Sequence, residues 1–365
     1  MKVLIVHHQM ALYGGAELVV VRLANYLKEH GHKVTILAAS SSVHSEYEGL
    51  DIVTPSKECK WCLWDGGLKS LQSIYQVFLA LRHLGTTYVD NFDVVNVHNF
   101  PAVWAIPKRK RIVWMCNEVP DLWHRGSTPR VINQLLNLGR LADKAIVCSK
   151  QPTAVVPDVQ SAKCFETRYK FLPEIIPYGI DGEFFSKRLG TERNKVFTVI
   201  QPAMISPSKG QMETLKATEK LNARVMFVGH YELRHPYTLE LRQNSKGRDV
   251  IFFGHTNREE LRKLYYTAHV AVFPGKGQGS WLGPFEALSA GVPMVVSPNL
   301  NCAEIIRQNN LGTVTYDLPK ALNVIKDNYP EYQAQALRGR EFVLHELTWD
   351  KFGAQMEKIL KGGDR

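Results

Sequence analysis

Pro274-Gly-Lys-Gly-Gln-Gly-Ser-Trp-Leu-Gly-Pro-Phe-Glu-Ala-Leu-Ser-Ala-Gly-Val-Pro-Met-Val-Val-Ser297 is the stretch whose reading decides the fold. An apolar run at 270–273 leads into it. It then divides into a glycine-rich loop, a short helical segment carrying Glu286, a glycine stop at Gly291 and a second apolar run at 294–296. Short apolar runs alternating with helical segments are the pattern of a parallel sheet covered on both faces. In such a sheet the loop at the carboxyl end of a strand borders the ligand crevice, and the first amides of the next helix point outward unpaired. Gly275, Gly277, Gly279 and Gly283, four glycines in nine residues, let the backbone approach a phosphate or take positive φ. The stretch reads as an anion cradle; the simpler alternative is a flexible connector.

The same alternation runs through the second half, with strands expected at 196–200, 224–228 and 250–253 and helices at 209–220, 237–244 and 257–268. It also runs through the first half. There, strands are expected at 2–6, 34–38, 94–97, 112–115 and 145–148, a helix opens at Gly14-Gly15, and residues 41–67 read as a long loop. The 365 residues suit two domains rather than one core. Between the halves, 173–190 is rich in proline and glycine and reads as an ordered connection. The expected organisation is an N-terminal Rossmann-like domain at 1–180, a second at 181–345, and a terminal helix at 346–365 returning to the first. After residue 318 the chain reads helical to 360 with a break near Leu347. Two such doubly wound parallel-sheet domains imply a ligand cleft between them.

Charge and cysteines narrow the chemistry. Forty-five basic against 35 acidic residues leave a formal charge of +10, which favours anionic partners such as nucleotides or anionic lipid. No apolar run is long enough to cross a bilayer and the start shows no signal-peptide pattern, so a cytoplasmic protein is expected. The six cysteines include one close pair, Cys59 and Cys62, a poor zinc pattern that reads as reduced structural thiols. Pro107-Lys-Arg-Lys-Arg111 is a dense basic run. It reads as a solvated loop or as a peripheral contact with the inner face of an anionic membrane, and it lacks the interleaved aromatics expected of nucleic-acid binding. Gly14-Gly15 is a second candidate anion turn, but the third glycine and downstream acid of a dinucleotide fingerprint are missing, which disfavours a nicotinamide cofactor.

Two polar residues stand out in the second half. Lys209, in Ile205-Ser-Pro-Ser-Lys-Gly210 just after a strand, is placed to hold a phosphate as a point charge, or is a solvated lysine. Glu286 lies among Leu282, Phe285 and Leu288, and a carboxylate there can accept hydrogen bonds from vicinal hydroxyls or pair with an arginine. His7, His8, His98 and Asn99 end strands at the expected cleft edge, as ligand contacts or as structural residues.

Gly-Gly-Ala-Glu17, Pro-Tyr-Gly-Ile-Asp181, Ser-Lys-Gly210, Glu260-Leu-Arg-Lys-Leu-Tyr265 and above all Pro284-Phe-Glu-Ala-Leu-Ser-Ala-Gly-Val-Pro293 resemble glycosyltransferase family 4, the retaining nucleotide-sugar transferases of GT-B fold. The resemblance runs through nearly the whole chain. It implies a UDP-, GDP- or ADP-sugar on the second domain and a glycan or lipid-linked acceptor on the first. It also implies metal-independent chemistry with no cofactor, and the sequence has no Asp-x-Asp pair. In that family the lysine matching Lys209 neutralises the diphosphate, the glutamate matching Glu286 holds the ribose, and the loop matching Gly279, Ser280, Trp281, Leu282 and Gly283 touches phosphate and sugar. His230, after Gly229, is a further candidate for the developing charge.

Three positions depart from the family pattern. Gln278 replaces the usual first glutamate eight residues before Glu286, Met204 stands where an arginine five residues before Lys209 is usual, and Asn117 stands at the place of a first-domain histidine. An asparagine can hydrogen-bond a hydroxyl but cannot shuttle a proton at neutral pH. A catalytically weak or inactive sugar-nucleotide-binding partner subunit is therefore the second reading. A phosphorylase or an epimerase on the same scaffold is a third.

Overall fold

The computed structural model describes residues 1–10, 14–57, 59, 67–117, 130–188, 190, 192–275 and 281–363. The chain forms two compact units, Met1–Tyr178 together with Trp349–Arg365, and Gly179–Thr348.

The first unit is built on β1 (Lys2–His7), β2 (Lys33–Ala38), β3 (Asp51–Val53), β4 (Val94–His98), β5 (Arg111–Met115), β6 (Thr153–Val156) and β7 (Glu174–Ile175). All pair in parallel in the order β3-β2-β1-β4-β5-β6-β7. β1 lies inside the sheet, with Val3 opposite both Val34 and Val94, and Val3, Leu4, Ile5 and Val6 are fully buried. That burial on both faces is why the strand reads as an unbroken apolar run. Helix Trp349–Lys361 packs on helix Gly15–Glu29. Gly353 permits this, because a Cβ there would lie 2.3 Å from Cγ of Tyr26. His32 Nε2 and a Glu357 carboxylate oxygen, 2.7 Å apart, and hydrogen bonds from Arg111 to the carbonyls of Ile359 and Leu360 secure the same helix.

The second unit carries β8 (Phe197–Pro202), β9 (Ala223–Val228), β10 (Val250–Gly254), β11 (Val270–Phe273), β12 (Met294–Val296) and β13 (Thr313–Val314), again all parallel, in the order β10-β9-β8-β11-β12-β13. It repeats the path of the first six strands of the other unit. Each unit is thus the doubly wound parallel α/β architecture expected, with a strand-order reversal beside its first strand.

Four local expectations need correction. Residues 145–148, expected as a strand, lie in helix Arg130–Lys150, and the strand comes later as β6. A four-residue apolar run cannot be told from a helix face by periodicity, and Val147 is simply the buried face of that helix. The expected loop at 41–67 contains the 3-10 turn Ser45–Tyr47 and edge strand β3, which is too short to show a period. The expected helix at 209–220 is a 3-10 turn, Pro207–Lys209, then Gly210 at φ 73°, then helix Gln211–Ala217. The C-terminal helical region breaks at Asn328 as well as at Leu347, giving helices Leu318–Asp327 and Tyr329–Glu346, the second with a proline in its first turn.

Candidate functional site

In the second unit the strand-order reversal lies between β8 and β11, the place where open α/β sheets take ligands. The loops leaving these two strands touch. A Cβ on Gly210 would lie 2.9 Å from the Pro274 carbonyl oxygen, and one on Gly275 would lie 3.2 Å from that of Ser208. Glycine at both positions therefore brings the turn carrying Lys209 against the start of the glycine-rich stretch.

Two buried glutamines fix that turn. Gln201 Nε2 donates to the Lys209 carbonyl at 2.7 Å, while its Oε1 accepts from Thr214 Oγ1 at 2.7 Å. Gln211 Nε2 donates to the Met204 carbonyl at 3.0 Å and its Oε1 accepts from the Ser206 amide at 3.3 Å. Both side chains belong to buried residues, so these bonds replace lost water and hold Met204 to Lys209 in one conformation. Sequence reading passed over both. The available signal was a glutamine ending the apolar run Thr-Val-Ile-Gln201.

Met204 is half-buried and His230 exposed, in adjacent loops. Ala203 N donates to the Val228 carbonyl at 2.9 Å and Ile205 N to the His230 carbonyl at 2.9 Å. Gly229, at φ 152°, makes the approach possible, since its Cβ would sit 2.3 Å from the Ala203 carbonyl oxygen.

On the other side, helix Leu282–Ser289 starts directly after Trp281, which is buried with its ring 4.8 Å from that of Phe285. Gly283 packs on Phe273, with room for no Cβ (2.9 Å to the ring), and its carbonyl accepts from Tyr265 Oη at 3.3 Å. Glu286, whose side chain is 12% exposed, has Oε1 3.6 Å from Arg258 Nη1. The other terminal nitrogen of Arg258 pairs with Asp181, and its guanidinium lies over Phe185. Burial pushes the Glu286 carboxyl above its usual range; Arg258 pulls it back and Asp181 pushes it further up. The arginine alternative for Glu286 is thus realised by Arg258, a residue sequence reading did not single out. Gln278, Gly279 and Ser280 lie outside the described residues.

In the first unit, Gly14 and Gly15 open helix Gly15–Glu29, but Glu17 folds back over them. Its Oε2 lies 2.8 Å from where a Cβ on Gly14 would be. Burial raises this carboxyl to about 7, against backbone N–H groups of Glu17 and Gly14 that lower it. That turn is therefore already occupied by a carboxyl group of the chain's own. At the ends of β1 and β4, the rings of His7 and His8 are 4.3 Å apart and those of His7 and His98 6.2 Å apart. His98 Nε2 bonds Asn96 Oδ1 at 2.7 Å, and burial lowers His7 to about 4, leaving it neutral near pH 7. Asn117, just past β5, accepts from Tyr178 Oη at 2.6 Å through Oδ1, while its backbone N–H donates to Asn99 Oδ1 at 3.1 Å. Its buried Nδ2 has no hydrogen-bond partner among the described residues.

The basic run after Pro107 is largely engaged within its own unit. Lys108 bonds the Ser149 carbonyl and Gln151, Arg109 pairs with Asp90 at 2.8 Å, and Arg111 caps the terminal helix. Cys59 carries a free thiol, and Cys62 lies outside the described residues. Among the described residues, no helix is long and apolar enough to cross a membrane.

Known proteins place these features in context. The family described as Glycosyltransferase Family 4 matches residues 13–158, and that described as Glycosyl transferases group 1 matches residues 198–324. The MMP alpha-(1->4)-mannosyltransferase of Mycolicibacterium hassiacum is 25% identical over 230 residues, which is 57% of this chain and 54% of that protein. The matched stretch thus spans about half the length of that curated relative. Among solved structures, WaaG, a glycosyltransferase involved in lipopolysaccharide biosynthesis, has a TM-score of 0.74 at 17% identity, covering 99% of this chain and 100% of WaaG. Anabaena HepE, solved with UDP and glucose, has a TM-score of 0.73 at 14% identity over 99% of this chain and 100% of its own. At such identities these two establish the GT-B fold.

Proposed function

Because the chain is a glycosyltransferase of the family 4 type, we propose that it moves a hexose-type sugar from a nucleoside diphosphate donor to an acceptor hydroxyl with retention of configuration. The observation that carries this is the junction of the Lys209 turn with the glycine-rich stretch at the strand reversal of the second unit. A sugar nucleotide as donor is supported by the UDP and glucose bound to HepE, and a hexose by the mannosyltransferase among the relatives. The net charge of +10 suits an anionic donor and a phosphate-bearing, lipid-linked or glycan acceptor.

In the proposed mechanism the bond from the anomeric carbon to the leaving phosphate oxygen breaks while the acceptor oxygen bonds the same carbon from the same face. The departing phosphate oxygen takes the acceptor proton, so no protein nucleophile is needed. Lys209 and the first amides of helix Leu282–Ser289 stabilise the negative charge developing on the diphosphate. Met204 in place of an arginine leaves a larger share of that task to Lys209. Glu286, oriented by Arg258, accepts from the ribose hydroxyls. Asn117 offers its unused Nδ2 hydrogens to an acceptor hydroxyl, a role that needs no proton transfer. His230, exposed after β9, lies one loop from Lys209 and contributes at most a peripheral contact to the diphosphate.

The test is Lys209→Ala. Removing one preorganised charge donor costs roughly 10²–10³ in turnover, so kcat should fall by that factor at saturating donor while the circular dichroism spectrum stays unchanged. Undiminished kcat would remove Lys209 from the mechanism.

A further inference from the structure

At the opposite end of the second sheet, beside the amino ends of β8, β11 and β12, the same unit encloses a hollow of ≈ 270 Å³. Three arginines converge on it. Arg188 and Arg193 come from the segment preceding β8, and Arg340 comes from helix Tyr329–Glu346. Among the described residues, no carboxylate lines the hollow. Among the described residues none of the three arginines has an ion-pair partner, and the buried Arg193 Nη1 and Arg340 Nε atoms lack hydrogen-bond acceptors. Three unneutralised guanidiniums around one half-open space repel one another, an arrangement that an anion of matching charge would relieve while accepting from the unpartnered Arg193 and Arg340 donors. Burial and the neighbouring Arg188 both weigh against the charge on Arg193.

Glycine shapes the floor. Gly291, at φ 71°, ends helix Leu282–Ser289, and a Cβ there would lie 2.4 Å from Arg340 Nη2, so a side chain would displace the guanidinium. Tyr266 contributes its ring but not its hydroxyl, which donates to the carbonyls of Phe185 and Ser186 at 2.9 and 2.7 Å. Leu337 adds apolar surface and Gln333 an amide. Forked guanidiniums match phosphate oxygens in pairs, and several of them together demand a multiply charged anion. The hollow exceeds the needs of a bare phosphate and approaches the lower end, about 300 Å³, of small-ligand pockets.

We propose that this hollow is a binding site for a phosphate-bearing small molecule of hexose-phosphate size, separate from the site between β8 and β11 at the sheet's other end. It does not depend on the transferase mechanism. Calorimetric titration of the full chain with glucose 6-phosphate and with inorganic phosphate tests it, alongside Arg188→Ala, Arg193→Gln and Lys209→Ala. The expected result is one bound hexose phosphate in the wild type and in Lys209→Ala, with binding weakened at least tenfold in both arginine variants. Arg188 is exposed, so its replacement leaves the fold intact, which near-ultraviolet circular dichroism verifies. A flotation assay with phosphatidic acid vesicles identifies the source of the phosphate. Vesicle binding lost in Arg188→Ala, with no binding of soluble phosphates, keeps the site and assigns it to a lipid headgroup. Binding that is unaffected by the arginine variants, lost only in Lys209→Ala, or absent for all three probes overturns the proposal.

Discussion

Replacing Glu17 by glutamine should stabilise the first unit at alkaline pH and slightly destabilise it in acid. The carboxyl is buried under the Gly14-Gly15 turn, and burial holds it at about 7 against an ordinary 4.5. At about 1.36 kcal/mol per pH unit, ionising it inside the fold costs about 3 kcal/mol once the pH exceeds 7. The direction follows from the two protonation equilibria. Below 4.5 the group is protonated folded and unfolded alike; between 4.5 and 7 only the unfolded chain ionises, so stability falls as pH rises through that window. Glutamine removes the penalty, and its amide oxygen keeps only part of the capping interaction with the turn's N–H groups, a loss of about 1 kcal/mol. The net gain is about 2 kcal/mol at pH 8, or about 4–8 °C in the unfolding midpoint of a unit this size. Differential scanning calorimetry at pH 4.5 and pH 8 measures it. A variant that shifts the midpoint equally at both pH values, or lowers it at pH 8, refutes the reasoning.

Two further perturbations follow from the packing. Arg258→Met leaves Asp181 and Glu286 without their shared cation, which should cost about 3 kcal/mol in urea unfolding of the second unit at pH 8 and less at pH 5, where the raised Glu286 carboxyl is closer to neutral. Gly353→Ala drives a methyl into the Tyr26 ring and should destabilise the first unit by about 1–3 kcal/mol in the same assay, with an unchanged urea midpoint showing that the helix contact is looser than described.

The architecture was legible because its central strands are buried on both faces. Val3 to Val6 and Val270 to Phe273 leave no periodicity to misread except an unbroken apolar run. Edge strands were not legible. Asp51–Val53, Glu174–Ile175 and Thr313–Val314 are two or three residues long and take their conformation from the neighbouring strand, not from their own sequence. The Ala-Ile-Val-Cys148 run failed for the opposite reason: it has strand composition but lies within a long amphipathic helix whose packing overrides propensity. At the candidate site, Lys209 and Glu286 could be singled out from the sequence because each lies in a recognisable motif after a strand end. Sequence reading missed Gln201 and Gln211, whose bonds to the turn carrying Lys209 exist only once that turn has folded, and Arg258, whose partner is far along the chain. Arg258 meets Asp181 across 77 positions.

Donor binding tests the central claim most directly. Titrating the protein calorimetrically with UDP-, GDP- and ADP-sugars should show one nucleotide class bound at a single site, with affinity falling at least tenfold in Lys209→Ala and unchanged in Arg188→Ala. Failure of all three classes to bind, or equal affinity in Lys209→Ala, would contradict the assignment of the diphosphate to the loops after β8 and β11.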